Sequence, residues 1–406
     1  MTTIAQGINK LTVFKKQSGL GVAASGSGGQ VMRREKSEFK LEKDTFENNE
    51  IVQHQQSTGA VHGLRKVSGS LSGVVSPGTY STVVASLLRK AFTSTSAYSA
   101  GSDVTAQVTS PQFADASGGF LTAGLKVGDV GRWTGFAGGS ATNNNAKNFL
   151  ITALTATDMT GVFLNGDAVV ADAAGDACTF TVVGKKALVP LTAHTTEYWT
   201  VEEWYPDVVQ SELFTDVVVA SVDIGLPSTG NSTFGSTYVG LNRSVTGAQV
   251  LTTPTAATTT AVQTAVNGAV VVNGVTVGNV SAASIKIDGG VASMGAVIGS
   301  NVSPDVQRGR IKVSGSVTAF YQDGVMSALF DAATAVSIII VASADDTATS
   351  SFCGYTMSAV KFSGDSADDG EKGIVRTYPF TAEINAAGGA LLAADQTIIS
   401  IQDSDA

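Results

Sequence analysis

The sequence predicts a mainly β protein, and three observations carry that expectation. Val, Thr and Ile gather in short runs throughout the 406 residues, as they do on pleated, half-buried strands. The runs are separated by Gly and Asn drawn from a pool of 45 glycines, which marks frequent turns. A strand-like stretch is also written twice: KVSGSLSGVVSPGTY at residues 66–80 returns as KVSGSVTAFYQDGVM at residues 312–326.

The repeat has strand parity. Val67, Gly69, Leu71, Gly73 and Val75 share one face and Lys66, Ser68, Ser70 and Ser72 the other, because successive side chains on a strand point to opposite sides. In the second copy Val313, Gly315, Val317, Ala319 and Tyr321 oppose Lys312, Ser314, Ser316 and Thr318. The match runs without gaps through Gly78/Gly324 and Ser81/Ser327 into apolar segments. Two half-buried strands with one Lys/Ser/Thr face each are predicted, each followed by a glycine turn.

Behind the first copy, Tyr80–Phe92 is the best helical segment. Val83, Val84, Leu87, Leu88 and Ala91 recur on one helical face, with Arg89 and Lys90 near the C-terminal end, after a Ser76-Pro77-Gly78 turn. Residues 98–187 read as an inserted β module, its turns marked by Gly118-Gly119, Gly128-Asp129, Gly138-Gly139 and Asn143-Asn144-Asn145. Five segments result: 1–97, an N-terminal arm with the first half of a main domain; 98–187, the insert; 188–250, the domain continued; 251–305, a Thr/Ala/Gly-rich β lobe or insertion; and 306–406, the second half. The Gly/Ser-rich residues 18–29 suggest that the arm is mobile in the free subunit.

Composition narrows the function classes. Twenty-five Lys and Arg face 34 Asp and Glu, a net charge of −9, which argues against a surface built to grip duplex phosphates. Residues 1–97 nevertheless hold 12 basic and 6 acidic residues, an asymmetry that suits head-to-tail contacts between copies. Cys178 and Cys353 are too few for a disulfide framework, and the N-terminus lacks a signal-peptide layout, so synthesis in a cytoplasm is expected. The longest apolar run, around Ala335–Ala344, is far short of the ~18 residues of a membrane span. The apolar excess is expected between subunits.

No pattern assembles a nucleophile, base and oxyanion site, and no catalytic, cofactor or metal residue is assigned. GLGVAA at residues 19–24 matches a relaxed dinucleotide fingerprint but lacks a strand before it and a helix after it. His54, His62 and His194 have no Cys or carboxylate cluster beside them. Glu202 and Glu203 are neighbours and point to opposite strand faces. Trp199, Trp204 and Tyr205 read as packing residues, and Asp365, Asp368, Asp369 and Glu371 as an acidic turn without the spacing of a calcium loop.

The order of features resembles the major tail tube proteins of long-tailed, siphovirus-type bacteriophages. The resemblance rests on EIVQHQQSTGAVHGLRKVSGSLSGVVSPGTYSTVVASLL (50–88), the inserted module, EYWTVEEWYPDVVQSELFTDVVVASVDIGLP (197–227), VSGSVTAFYQDGVMSALF (313–330) and IVRTYPFTAEI (374–384). It implies a β-sandwich with a short flanking helix and a sheet that joins a ring-wide β-barrel on oligomerisation. Six-membered rings would stack into a conduit for double-stranded DNA during ejection, without specific DNA binding and without a membrane. Expected partners are further copies of the chain and the tape measure, tail terminator and tail tip proteins; the expected location is the virion tail, after synthesis in the host cytoplasm. Two other readings stay open: another β-rich virion protein, such as a tail terminator or capsid decoration protein, and a carbohydrate-binding module using Trp133 or Trp199.

If the polar faces of the repeated strands lined a bore, Lys66 and Lys312 would have to be offset, because rings of unpaired lysines grip phosphates. The lumen is therefore expected to be neutral or acidic, with Asp223 and Glu383 as candidate lumen carboxylates.

Overall fold

A computed structural model describes residues 4–51, 53, 54, 56, 59–368, 370, 371 and 373–406. It is mainly β, with large antiparallel sheets and a few short helices. The strands used below are β1 (Leu11–Lys16), β2 (Lys36–Glu47), β3 (Ala60–Val74), helix α1 (Ser81–Leu88), β4 (Trp199–Tyr205), β5 (Gln210–Pro227), β6 (Thr233–Gly240) and β7 (Asn242–Thr246). They are followed by β8 (Thr264–Val272), β9 (Val280–Asp288), β10 (Lys312–Phe320), helix α2 (Val325–Asp331), β11 (Val336–Ser343), β12 (Phe352–Phe362), β13 (Ser366–Asp368), β14 (Val375–Ala382) and β15 (Ser400–Asp403).

These strands form two copies of one unit. In the first, a wall runs β2, β3, β6, β5, and a second layer runs β1, β4, β5, β7. The 18-residue β5 serves both layers, its first half in one and its second half in the other. In the second unit the wall runs β9, β10, β14, β12 and the second layer β8, β11, β12, β15. Every pairing of the first unit has its counterpart in the second. Both repeated strands lead into a helix, so the apolar segments after Gly78 and Gly324 are α1 and α2.

The repeat is therefore longer than the strand that announces it. The hairpin β2–β3 corresponds without a gap to β9–β10, with Lys40-Leu41-Glu42 standing where Lys286-Ile287-Asp288 stand in the second unit. Residues 251–305, for which composition suggests a lobe or insertion, supply β8 and β9; β9 lies inside the wall, between β5 and β10.

Strand parity places the core. Val67, Leu71, Ile285, Val313, Val317, Ala319 and Tyr378 of the wall are buried, together with Phe14, Val201, Phe214 and Ile338 from the facing layers. Burial on this scale is the main stabilising term of such a sandwich. Helix α1 buries Val83, Val84, Leu87 and Leu88, the face expected from their spacing, but it ends before Phe92. Arg89 takes a left-handed φ of 60° that stops the helix, and its guanidinium donates to the carbonyls of Gly289 and Gly309 at 3.0 and 2.7 Å. Ala91 is left exposed.

Between α1 and β4 the chain builds a separate seven-stranded sheet from strands within residues 97–182. It has its own core around the fully buried Trp133, Phe113, Phe149 and Phe180. A buried ionic joint ties it to the main body: Lys186 bridges Asp129 and Asp395, both at 2.5 Å. Burial disfavours the charge on Lys186, but the two carboxylates outweigh it and hold its pKa above the ordinary lysine value.

The N-terminal segment is held against its own chain rather than extended. Lys15 donates to the carbonyls of Ser25 and Ser27 at 2.7 Å, the Gly21 N–H to Asp216 at 2.6 Å, and Gly26–Ser27 pairs with Leu251–Thr252. Backbone donors that would otherwise lack partners find them in the body, which overrides the flexibility suggested by the Gly/Ser content.

Candidate functional site

The wall turns one face to the core and the other outward, and the outward face is polar. Antiparallel register aligns side chains across it: Ser72, Gly235, Asp223, Lys286, Ser314 and Thr381 are successive partners in one row. The structure thus brings both repeated strands onto one surface. Lys66, Ser70, Lys312 and Ser314 are exposed there, while Ser68, Ser72, Ser316 and Thr318 are half-buried. Hydroxyl ladders knit the strands, Ser284 to Ser316 at 2.9 Å, Thr318 to Thr377 at 3.0 Å and Ser221 to Thr237 at 2.8 Å, as cross-strand Ser/Thr pairs do.

Charges on this face are interleaved. Lys66 pairs with Asp44 at 2.7 Å, Asp223 with Lys286 at 3.8 Å, Glu383 with Lys361 at 3.1 Å and Lys40 with Glu42 at 2.6 Å. Lys312 stands opposite Asp288 in the ladder. The hydrogen bond from Lys36 holds the Glu38 carboxyl below the usual range, and that to Glu42 raises the Lys40 pKa. Exposed pairs of this kind contribute little stability; their consequence is a surface with neither a cationic nor an anionic field. The lysine partners of Asp223 and Glu383, and the β2 charges, are invisible without the strand pairing.

The other sequence candidates resolve into packing. Glu202 and Glu203 do point to opposite sides. Glu202 accepts from Ser211 and from the N–H groups of Val250 and Leu251 at 2.6 to 2.7 Å; Glu203 accepts from Lys10 at 2.6 Å and Ser37 at 3.0 Å. Both anchor the N-terminal and 247–251 segments. Trp199 donates to Ser86 at 3.0 Å and packs against Phe14. Trp133 is 0% exposed, which removes it as a sugar-stacking platform. Residues 19–24 form a loop with no helix after them. Asp365 is turned toward Arg376 and Ser327, and Asp369 lies outside the described residues. Among the described residues no cluster of three His, Cys, Asp or Glu is placed to hold a metal, and no helix is long and apolar enough to cross a membrane.

A continuous wall of duplicated units with a polar outer face, among whose described residues no metal cluster is placed, defines the class as a β-rich protein built around one extended sheet. The chain belongs to the phage tail tube protein family, whose model, described as phage tail tube protein, matches residues 7–382. No curated protein matches the chain. Its role is accordingly that of a structural component of a phage tail tube.

Proposed function

We propose that the chain is the repeating subunit of stacked rings whose polar wall faces line a conduit for double-stranded DNA during ejection. The observation that carries this reading is the single polar face formed by both units, with cations and carboxylates interleaved across it. DNA carries about one charge per 1.7 Å of axis and is held by counterion release wherever unpaired cations accumulate. A face whose lysines are matched by carboxylates offers no such grip, and its hydroxyls exchange hydrogen bonds with water as the duplex slides. Tape measure, tail terminator and tail tip proteins would meet the tube at its bore and ends.

Electron microscopy of the purified protein tests assembly: hollow tubes are expected, and a monomer persisting at high concentration and physiological salt refutes the reading. Replacing Asp223 and Glu383 together by Lys is expected to leave tubes intact while slowing DNA ejection. The slowing should grow at low salt, where the Debye length reaches ~30 Å at 0.01 M. Unchanged ejection in 0.01 M salt would remove this face from the bore.

A further inference from the structure

The insert carries its own core, and polar groups hold it to the main body. Gln402 donates to the carbonyls of Val130 and Val183 at 2.8 and 2.7 Å, and the Lys126 ammonium donates to the carbonyls of Gly389, Ala390 and Leu392. At the centre of this junction stand Lys186, on the strand Lys185–Leu188 of the main body, and Asp129, at the foot of the insert strand Val130–Thr134. The Lys186 Nζ lies 2.5 Å from Oδ1 of Asp129 and 2.5 Å from Oδ2 of Asp395; the lysine side chain is 15% exposed, and the two carboxylates 5% and 15%. The other oxygen of Asp129, Oδ2, accepts from the Lys126 N–H at 2.8 Å. Oδ2 of Asp395 is buried and, among the described residues, has no donor aligned on it in hydrogen-bond geometry. A primary amine, a carboxyl group, a second carboxylate and an N–H donor are thus pressed together largely out of water, beside a polar cavity of about 130 Å³.

We propose that Lys186 and Asp129 condense into an isopeptide bond, a covalent staple between the insert and the main body. The step starts from the ion pair and needs no co-reactant. One proton passes from the Lys186 ammonium to Oδ1 of Asp129, leaving a neutral amine facing a carboxylic acid; burial, which pushes the Asp129 carboxyl above its usual range, favours this transfer. The amine attacks Cγ, the C–N bond forms, and the negative charge develops on Oδ2, where the Lys126 N–H is already aimed. Asp395 takes a second proton from the nitrogen and delivers it to Oδ1; the C–Oδ1 bond breaks, Oδ2 returns to a carbonyl, and one water leaves into the cavity. Asp395 ends ionised, as it began, and faces the Lys126 cation. Fixed proximity replaces a bimolecular encounter, and condensation removes two buried charges whose desolvation is costly. The bond forms once per chain, so a slow reaction suffices. It spans 57 residues and restricts the unfolded chain as a cross-link does.

Mass spectrometry of the full-length chain tests the bond. Wild-type protein held folded at neutral pH and then denatured is expected to be lighter than its sequence by one water. A succinimide at an Asp-Gly step such as Asp288-Gly289 loses the same mass, so trypsin locates the change. The expected product is Val127–Arg132 branched onto Lys186–Arg243, uncut after Lys186. Lys186→Arg keeps the cation without an amine nucleophile and is expected to restore the full mass. Asp395→Asn is expected to slow bond formation on the order of a hundredfold. A wild-type chain at full sequence mass, or a loss of water without the branched peptide, would overturn the bond. Equal rates in the parent and Asp395→Asn would overturn the proton transfer assigned to that carboxylate. The measurement needs only the folded chain, so it stands or falls apart from the conduit.

Discussion

The two units share strand order, register and a strand-to-helix turn, yet their helices differ in depth. Helix α1 buries four apolar residues; α2 buries only Met326, and its Val325 is 59% exposed. The reason lies outside both helices. Helix α1 is covered by the strand Lys185–Leu188 and by the second unit, whose Gly289 meets Leu87. Helix α2 stands at the open end of the chain beside an apolar groove formed by Val272, Val275, Phe320 and Tyr321. Even the repeated glycine differs. Gly78 has φ +72° and donates its N–H to Asp403 at 2.9 Å; Gly324 has φ −87°. A sequence idiom fixes a local shape, and its neighbours decide how much that shape stabilises.

The comparison can be broken most forcefully at the helices. Leu88→Ala removes a fully buried side chain and is expected to destabilise the chain by about 2 to 5 kcal/mol in denaturant unfolding. Leu329→Ala, on the half-buried α2, should lose less than about 1 kcal/mol. Equal losses would mean that the two helices are equally embedded.

The turn glycines give the next contrast. A Cβ at Gly78 would sit 2.9 Å from the Asp405 carbonyl oxygen, in a left-handed conformation. Gly78→Ala is therefore expected to lower stability by up to about 3 kcal/mol. At Gly324 nothing lies closer than 4.0 Å, and Gly324→Ala is expected to change stability by less than about 0.5 kcal/mol.

Asp403 sharpens the same contrast through pH. Burial pushes its carboxyl up to about 6, against the hydrogen bonds from the Gly78 and Asp405 N–H groups, whereas an unfolded Asp titrates near ~3.9. Between those values the folded chain binds the proton that the unfolded chain has released. The contribution of this group is thus fully present at low pH and is lost as pH rises from about 4 to about 6, on the order of 3 kcal/mol. Asp403→Asn keeps one acceptor oxygen for the Gly78 and Asp405 N–H groups and removes the titration. Its melting temperature relative to the parent should rise between pH 4 and pH 7; a difference independent of pH would exclude the assignment.

The smallest expected effect is at the polar face. Lys66→Ala breaks an exposed pair with Asp44 and should change stability by less than about 0.5 kcal/mol, as should Lys312→Ala. A larger loss in thermal unfolding for either would show that the face takes part in holding the wall together.

The sequence by itself determined what depends on short range. Period-two alternation at 66–72 and 312–318 placed Val67, Leu71, Val313 and Val317 inside and the Lys/Ser/Thr series outside, because parity is set by the backbone of one strand. Helical spacing identified the buried face of α1, and the feature order pointed to the family. Tertiary structure alone decided how these pieces meet. The unit repeat was written at Lys40-Leu41-Glu42 and Lys286-Ile287-Asp288, but three matched positions carry little signal until strand pairing aligns them. The stop at Arg89 depends on carbonyls 200 and 220 residues away. The placement of β9 inside the wall, the burial of Glu202 and the pairing of Asp223 with Lys286 likewise join residues distant in sequence. A strand's own residues fix which way its side chains point, but its neighbour in the sheet is chosen by the free energy of the whole packed assembly.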